Sequence, residues 1–132
     1  TAIYSYLTTR GLMEPPVRGL AVIDCMGKYN IHRFVAILSA FGIDHSVLYD
    51  GDNGGAHDTE VTQAISDTRS TFTKRVTRFA NDLETELGIT PLPRNESSRK
   101  PQYALYNLES GLIGQARIDA LKQEFVDLAT AL

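Results

Sequence analysis

The stretch SVLYDGDNGG, residues 46 to 55, places two carboxylates, Asp50 and Asp52, two residues apart where an apolar run ends. On extended backbone, residues i and i+2 project to the same side, so both acids address one point a few ångströms away. Like charges held that close repel, and a divalent cation or a raised pKa on one of them relieves the repulsion. Hard carboxylate oxygens suit Mg²⁺ or Mn²⁺. Gly51 between the acids, and Gly54 and Gly55 beyond them, let the backbone bend tightly or approach a ligand closely. Asp, Asn and Gly are also ordinary turn residues, so the spacing alone equally admits a solvated acidic turn.

The elements that must position these acids follow from periodicity. Thr1 to Arg10 carries Ile3, Tyr6 and Leu7 at helical spacing and stops at Gly11. GLAVIDC, Gly19 to Cys25, is a short apolar run rich in β-formers and predicts a strand covered on both faces. From Asn30, a plausible N-cap, Ile31, Phe34, Val35, Leu38 and Phe41 form a helical stripe ending at Gly42, and HSVLYD (His45 to Asp50) predicts the next strand. Strand, helix and strand with short connections predict a βαβ unit, hence parallel pairing and an α/β fold. Thr59 to Thr68 reads as a helix, Thr73 to Phe79 as a third and more exposed strand, and Asp82 to Leu87 as a helical turn. After a loop marked by Pro91, Pro93 and Asn95, two amphipathic helices are predicted over Lys100 to Leu108 and Gln115 to Leu132. Ligands in such sheets bind beyond the carboxyl ends of the strands, where Asp50 and Asp52 stand. A second acidic cluster, Asp82-Leu83-Glu84, follows the next strand and belongs to the same edge.

Composition bounds what this edge can serve. At 132 residues with 42% hydrophobic residues, the chain is sized for one domain burying about two-thirds of its unfolded surface. Sixteen acids against thirteen basic residues give a formal net charge of -3, so contact with a polyanion requires local basic patches or metal ions. Cys25 is the only cysteine, which excludes an intramolecular disulfide and a Cys-rich zinc site and fits a cytoplasmic protein. No run approaches the roughly 18 apolar residues of a spanning helix, so no membrane partner is expected.

The segment VIDCMGKYNIHRFVAILSAFGIDHSVLYDGDNGG resembles the central part of a TOPRIM domain, the metal-binding module of topoisomerases, primases and certain nucleases. It is most similar to the OLD-type (overcoming lysogenisation defect) nucleases. These have a strand, a Gly-Lys loop, a helix ending in Phe-Gly-Ile and a strand entering Asp-x-Asp. The likeness continues through NDLETELG (Asn81 to Gly88) and through Lys100-Pro101 with Ala104-Leu105, so it covers most of Gly19 to Leu108. It implies a Rossmann-like TOPRIM fold over residues 1–132, with 100–132 as C-terminal helices. It further implies a Mg²⁺- or Mn²⁺-dependent DNA endonuclease in which Asp50 and Asp52 bind metal and Asp82 and Glu84 serve a second ion. Lys100 would then sit near the scissile phosphate. The family's first strand, with its glutamate, has no counterpart before Thr1, so an N-terminally truncated piece with little activity of its own is expected. An ABC-type ATPase domain in the same parent chain and a homo-oligomer are the partners the family implies.

Other residues point less far. Lys28 in MGKYN stands in a loop from which a phosphate is reachable, but the upstream glycine and the Ser or Thr of a Walker A motif are lacking. His32, His45 and His57 form no ligand-spaced cluster, and Cys25 reads as a small hydrophobe. Arg69, Lys74, Arg75 and Arg78 make a basic stretch that could touch DNA backbone, but solvated charge on a partly exposed strand is the preferred reading, since one strand does not establish a patch in three dimensions. Three other readings stay open at this point: a topoisomerase- or primase-type TOPRIM domain, a nucleotide-sugar transferase using Asp-x-Asp for Mn²⁺, and a non-catalytic α/β domain.

Overall fold

A computed structural model of the chain describes residues 1–51 and 54–132. In chain order the elements are α1 (Ala2–Thr9), α2 (Ile31–Ala40), β1 (His45–Asp50), α3 (Ala56–Thr68), β2 (Thr73–Phe79), α4 (Leu83–Leu87), α5 (Lys100–Glu109) and α6 (Gln115–Thr130). Short 3₁₀ turns cover Lys28–Asn30 and Arg94–Arg99. Helix α1 ends as expected at Gly11, whose φ of +67° is one that β-carbon-bearing residues rarely adopt. The Leu12 and Met13 N–H groups then both donate to the Leu7 carbonyl, at 2.9 and 3.1 Å.

The sheet described has two strands, β1 and β2, paired in parallel from Ser46↔Arg75 to Asp50↔Phe79. Parallel neighbours need a crossover, and α3 supplies it. The βαβ unit is therefore β1–α3–β2, one element later than the sequence predicts. The predicted strand over Gly19–Cys25 does not form: the segment is unpaired, with Val22 and Ile23 43% and 47% exposed. Its composition favours extended backbone, but it makes no ladder with β1 and lies as coil along the cleft beside it. Between this segment, β1, α2 and the end of α6 lies an apolar cleft of about 750 Å³.

Register sorts the side chains onto two faces. Val47, Tyr49 and Val76 face α2 and α3 and join Ile31, Val35, Val61 and Ile65 in one apolar cluster. On the other face, Arg75 and Thr77 reach Glu124 of α6 at 3.2 and 2.6 Å. Phe79 packs against a second cluster built by Ile3 and Leu7 of α1 with Leu87, Ile89, Ala104, Ile113 and Leu121. Within the α2 stripe, Ile31 and Val35 are buried, whereas Phe41, one residue past the helix, is 77% exposed. Among the described residues no helix is long and apolar enough to cross a membrane.

Leu7 is 1% exposed, and Leu7→Ala is expected to cost about 2–5 kcal/mol by removing methyl groups from a packed site. Phe41→Ala should stay within about 0.5 kcal/mol, as exposed substitutions do. Urea unfolding of the two variants checks this: equal shifts in midpoint would contradict the packing of α1.

Candidate functional site

The carboxyl edge of the sheet is organised around Gly51. Asp50 ends β1 opposite Phe79, and the next residue, Gly51, is buried. A β-carbon at Gly51 would stand 2.6 Å from the Phe79 carbonyl oxygen and equally close to the Arg78 guanidinium. Gly51 has no positive φ, so the residue is glycine because its neighbours come so near. The turn closes with Gly54 N–H donating to the Gly51 carbonyl at 3.0 Å.

Arg78 is held there by a fork. Its Nε donates to Asp58 Oδ1 at 3.1 Å and its Nη2 donates to Oδ2. Asp58 lies in the first turn of α3 and is 6% exposed, so its charge needs the partner it has. The hydrogen bond from Arg78 holds the Asp58 carboxyl below the usual carboxylate range; burial opposes this, and the charges of Arg78 and Lys28 assist it. Asp58 in turn holds the Arg78 proton more tightly than usual. The 3₁₀ turn of Lys28–Asn30, which follows Gly27 at φ +108°, thus brings its lysine charge to the same edge.

The second acidic cluster resolves into two roles. Asp82 is the N-cap of α4, its Oδ1 accepting from Thr85 N–H at 2.7 Å. Glu84 points inward, 3% exposed, with Lys100 Nζ at 3.3 Å from Oε1 and 3.5 Å from Oε2. Among the described residues Oε1 nonetheless has no hydrogen-bond partner. Lys100 opens α5, with Pro101 at the start of the helix where its missing N–H is harmless.

The donors present are the hard carboxylate oxygens that Mg²⁺ and Mn²⁺ take, and Glu84 Oε1 is an orphan of that type. Among the described residues no group of three or more His, Cys, Asp or Glu side chains is placed to hold a metal ion. Asp52, predicted beside Asp50 as a ligand, lies outside the described residues. The structure therefore brings Glu84 and Lys100 together and leaves Asp50 at the strand end where the sequence puts it.

The remaining candidates have structural partners. His45 is buried: its Nδ1 donates to the Ile43 carbonyl at 2.8 Å and its Nε2 accepts from Thr73 Oγ1 at 2.8 Å. His57 is exposed beside Glu60 and stands edge-on to the Tyr29 ring. Burial pushes the Cys25 thiol up, with Asp24 adding to the effect, so it has none of the activation a nucleophilic cysteine needs. In the basic stretch, Lys74 pairs with Asp44 at 3.1 Å and Arg75 with Glu124 at 3.2 Å, while Arg69 is exposed. The Asp58–Arg78 pair is the feature that sequence reading misses. An acid in a first helical turn is a visible signal, but its partner lies 20 residues on.

Residues 2–52 match the family model described as Overcoming lysogenization defect protein-like, TOPRIM domain. The match takes in α1, α2 and β1 and stops at the second aspartate of Asp-Gly-Asp; Glu84 and Lys100 lie beyond it. No curated protein and no solved structure matches the chain.

Two outcomes are expected. The stabilisation from ionised Asp58 is complete above the unfolded carboxyl pKa of roughly 3.9 and is lost as pH falls through its lower folded value. Urea midpoints followed from about pH 7 to about pH 2 should therefore fall less steeply in Asp58→Asn than in the wild type. Gly51→Ala should lower the melting temperature, because backbone as well as a side chain blocks the new methyl group; an unchanged melt would show that the turn has room.

Proposed function

With residues 2–52 an OLD-like TOPRIM segment, we propose that the chain is part of a divalent-metal-dependent nucleic-acid-processing module that hydrolyses phosphodiester bonds of DNA. The observation that carries this reading is Asp50, inside the matched segment and at the carboxyl end of a parallel strand, where α/β proteins place their ligands. Asp50 and Asp52 would hold the first ion; Glu84, with its orphan oxygen, and Asp82 would serve a second. A divalent ion bound there supplies Lewis acidity to the phosphodiester and a water of lowered pKa.

The chain's own residues do the rest. Glu84 holds Lys100 by an ion pair, and the half-exposed ammonium group would offset charge gathering on a phosphate. Gly51 lets the strand end run close against Arg78, so the Asp50 backbone is fixed before any ligand arrives. The family likeness extends the proposal to the whole protein: DNA as substrate, cytoplasmic work, an ABC-type ATPase domain in the parent chain and a homo-oligomeric assembly.

Calorimetric titration with Mn²⁺ tests the reading on this chain beside an Asp50→Ala, Asp52→Ala double variant. Heat of binding in the wild type that vanishes in the variant is the expected result. Equal heats in both, or none in either, would overturn the assignment of these aspartates as ligands.

A further inference from the structure

Three observations from different parts of the chain converge on one side chain beside Asp50. Arg78, in β2, stands across the sheet from Tyr49. Its guanidinium is clamped side-on, through Nε and Nη2, by a carboxylate that is itself 93% removed from solvent, so the group is fixed in direction as well as place. It lies against Gly51, between the two aspartates of the turn, at a separation only a residue without a β-carbon allows. The Lys28 turn adds a second positive charge close enough to act on Asp58.

A surface ion pair formed for stability alone does not need a buried carboxylate, nor a place against the backbone of the strand end. Asp58 takes two of the five N–H donors of the arginine fork, and the side chain remains 33% exposed at the edge where strand ends face ligands. A planar group so aimed is suited to two oxygens of a phosphate. We infer that Arg78 is a phosphate-binding residue of the Asp50 site and that Asp58 is its positioning residue. This rests on the nucleic-acid reading above and adds a polynucleotide contact that neither the Asp-Gly-Asp turn nor the Glu84–Lys100 pair supplies.

The test is the salt dependence of binding to a short DNA duplex in Mn²⁺, followed by fluorescence anisotropy. Arg78→Gln alone strands a buried Asp58, so the informative protein is Asp58→Asn, Arg78→Gln, which removes both charges and leaves two amides to pair. Each phosphate contact contributes about 0.9 to the slope of log affinity against log salt, so the double variant should show a slope smaller by about 0.9 than the wild type. Arg78→Lys should keep the wild-type slope but bind more weakly, because a point charge replaces the fork. A folded double variant with the wild-type slope overturns the inference and leaves the proposed function standing. A wild-type chain that fails to bind the duplex at low salt overturns both.

Discussion

Parallel pairing of β1 with β2 is the constraint from which the rest of the carboxyl edge follows. Two parallel strands cannot be joined by a tight turn, so the chain must leave Asp50, cross the sheet as α3 and return at Thr73. That excursion puts the first turn of α3 beside the end of β2. Asp58 is thereby delivered to Arg78 at the level of the Gly51 turn. The same return path carries Phe79 into the cluster under α1 and sends the chain straight into the Asp82 cap of α4. The edge is thus assembled from three connections that all start or finish at one end of the strand pair.

The acids at this end differ in what neutralises them. Asp58 is buried and answered by an arginine fork; Glu84 is buried and answered by a lysine on one side only; Asp82 is half-buried and spends an oxygen on a helix terminus. Burial makes an unpaired carboxylate costly, so each partner identifies how completely the site has been satisfied. Asp58 is complete, because a fork fills both oxygens. Glu84 is incomplete, because Oε1 has a nearby charge without a directed hydrogen bond. Complete satisfaction holds the Asp58–Arg78 geometry fixed, whereas Glu84 in α4 keeps one oxygen with no directed partner among the described residues.

Periodicity made much of this layout legible. The stripes of α2, α5 and α6 and the alternation of β1 and β2 are local patterns, and the elements fall within a few residues of where those patterns place them. Gly19–Cys25 is the exception. Val22 and Ile23 declare a preference for extended backbone, but pairing belongs to the neighbour as much as to the segment, and no periodicity reveals which edge is available. The Glu84–Lys100 approach was readable only through likeness to a family, since the two stand 16 positions apart across loop and helix. Asp58 and Arg78 were individually visible as an acid and a base; what joined them was the length of α3, which sequence spacing does not convert into a distance.

The two apolar clusters draw on the chain very differently. One is drawn from a single stretch, Cys25 through Val76, whereas the other joins Ile3 and Leu7 to Leu121. On a ribosome the N-terminal end emerges first, and domains form as their parts become available. The α2–β1–α3–β2 cluster has its apolar partners once β2 has emerged, while Ile3 and Leu7 of α1 wait for α5 and α6 to complete theirs. The order of translation therefore completes the apolar cluster behind the Asp58–Arg78 edge before the helical layer that receives Phe79.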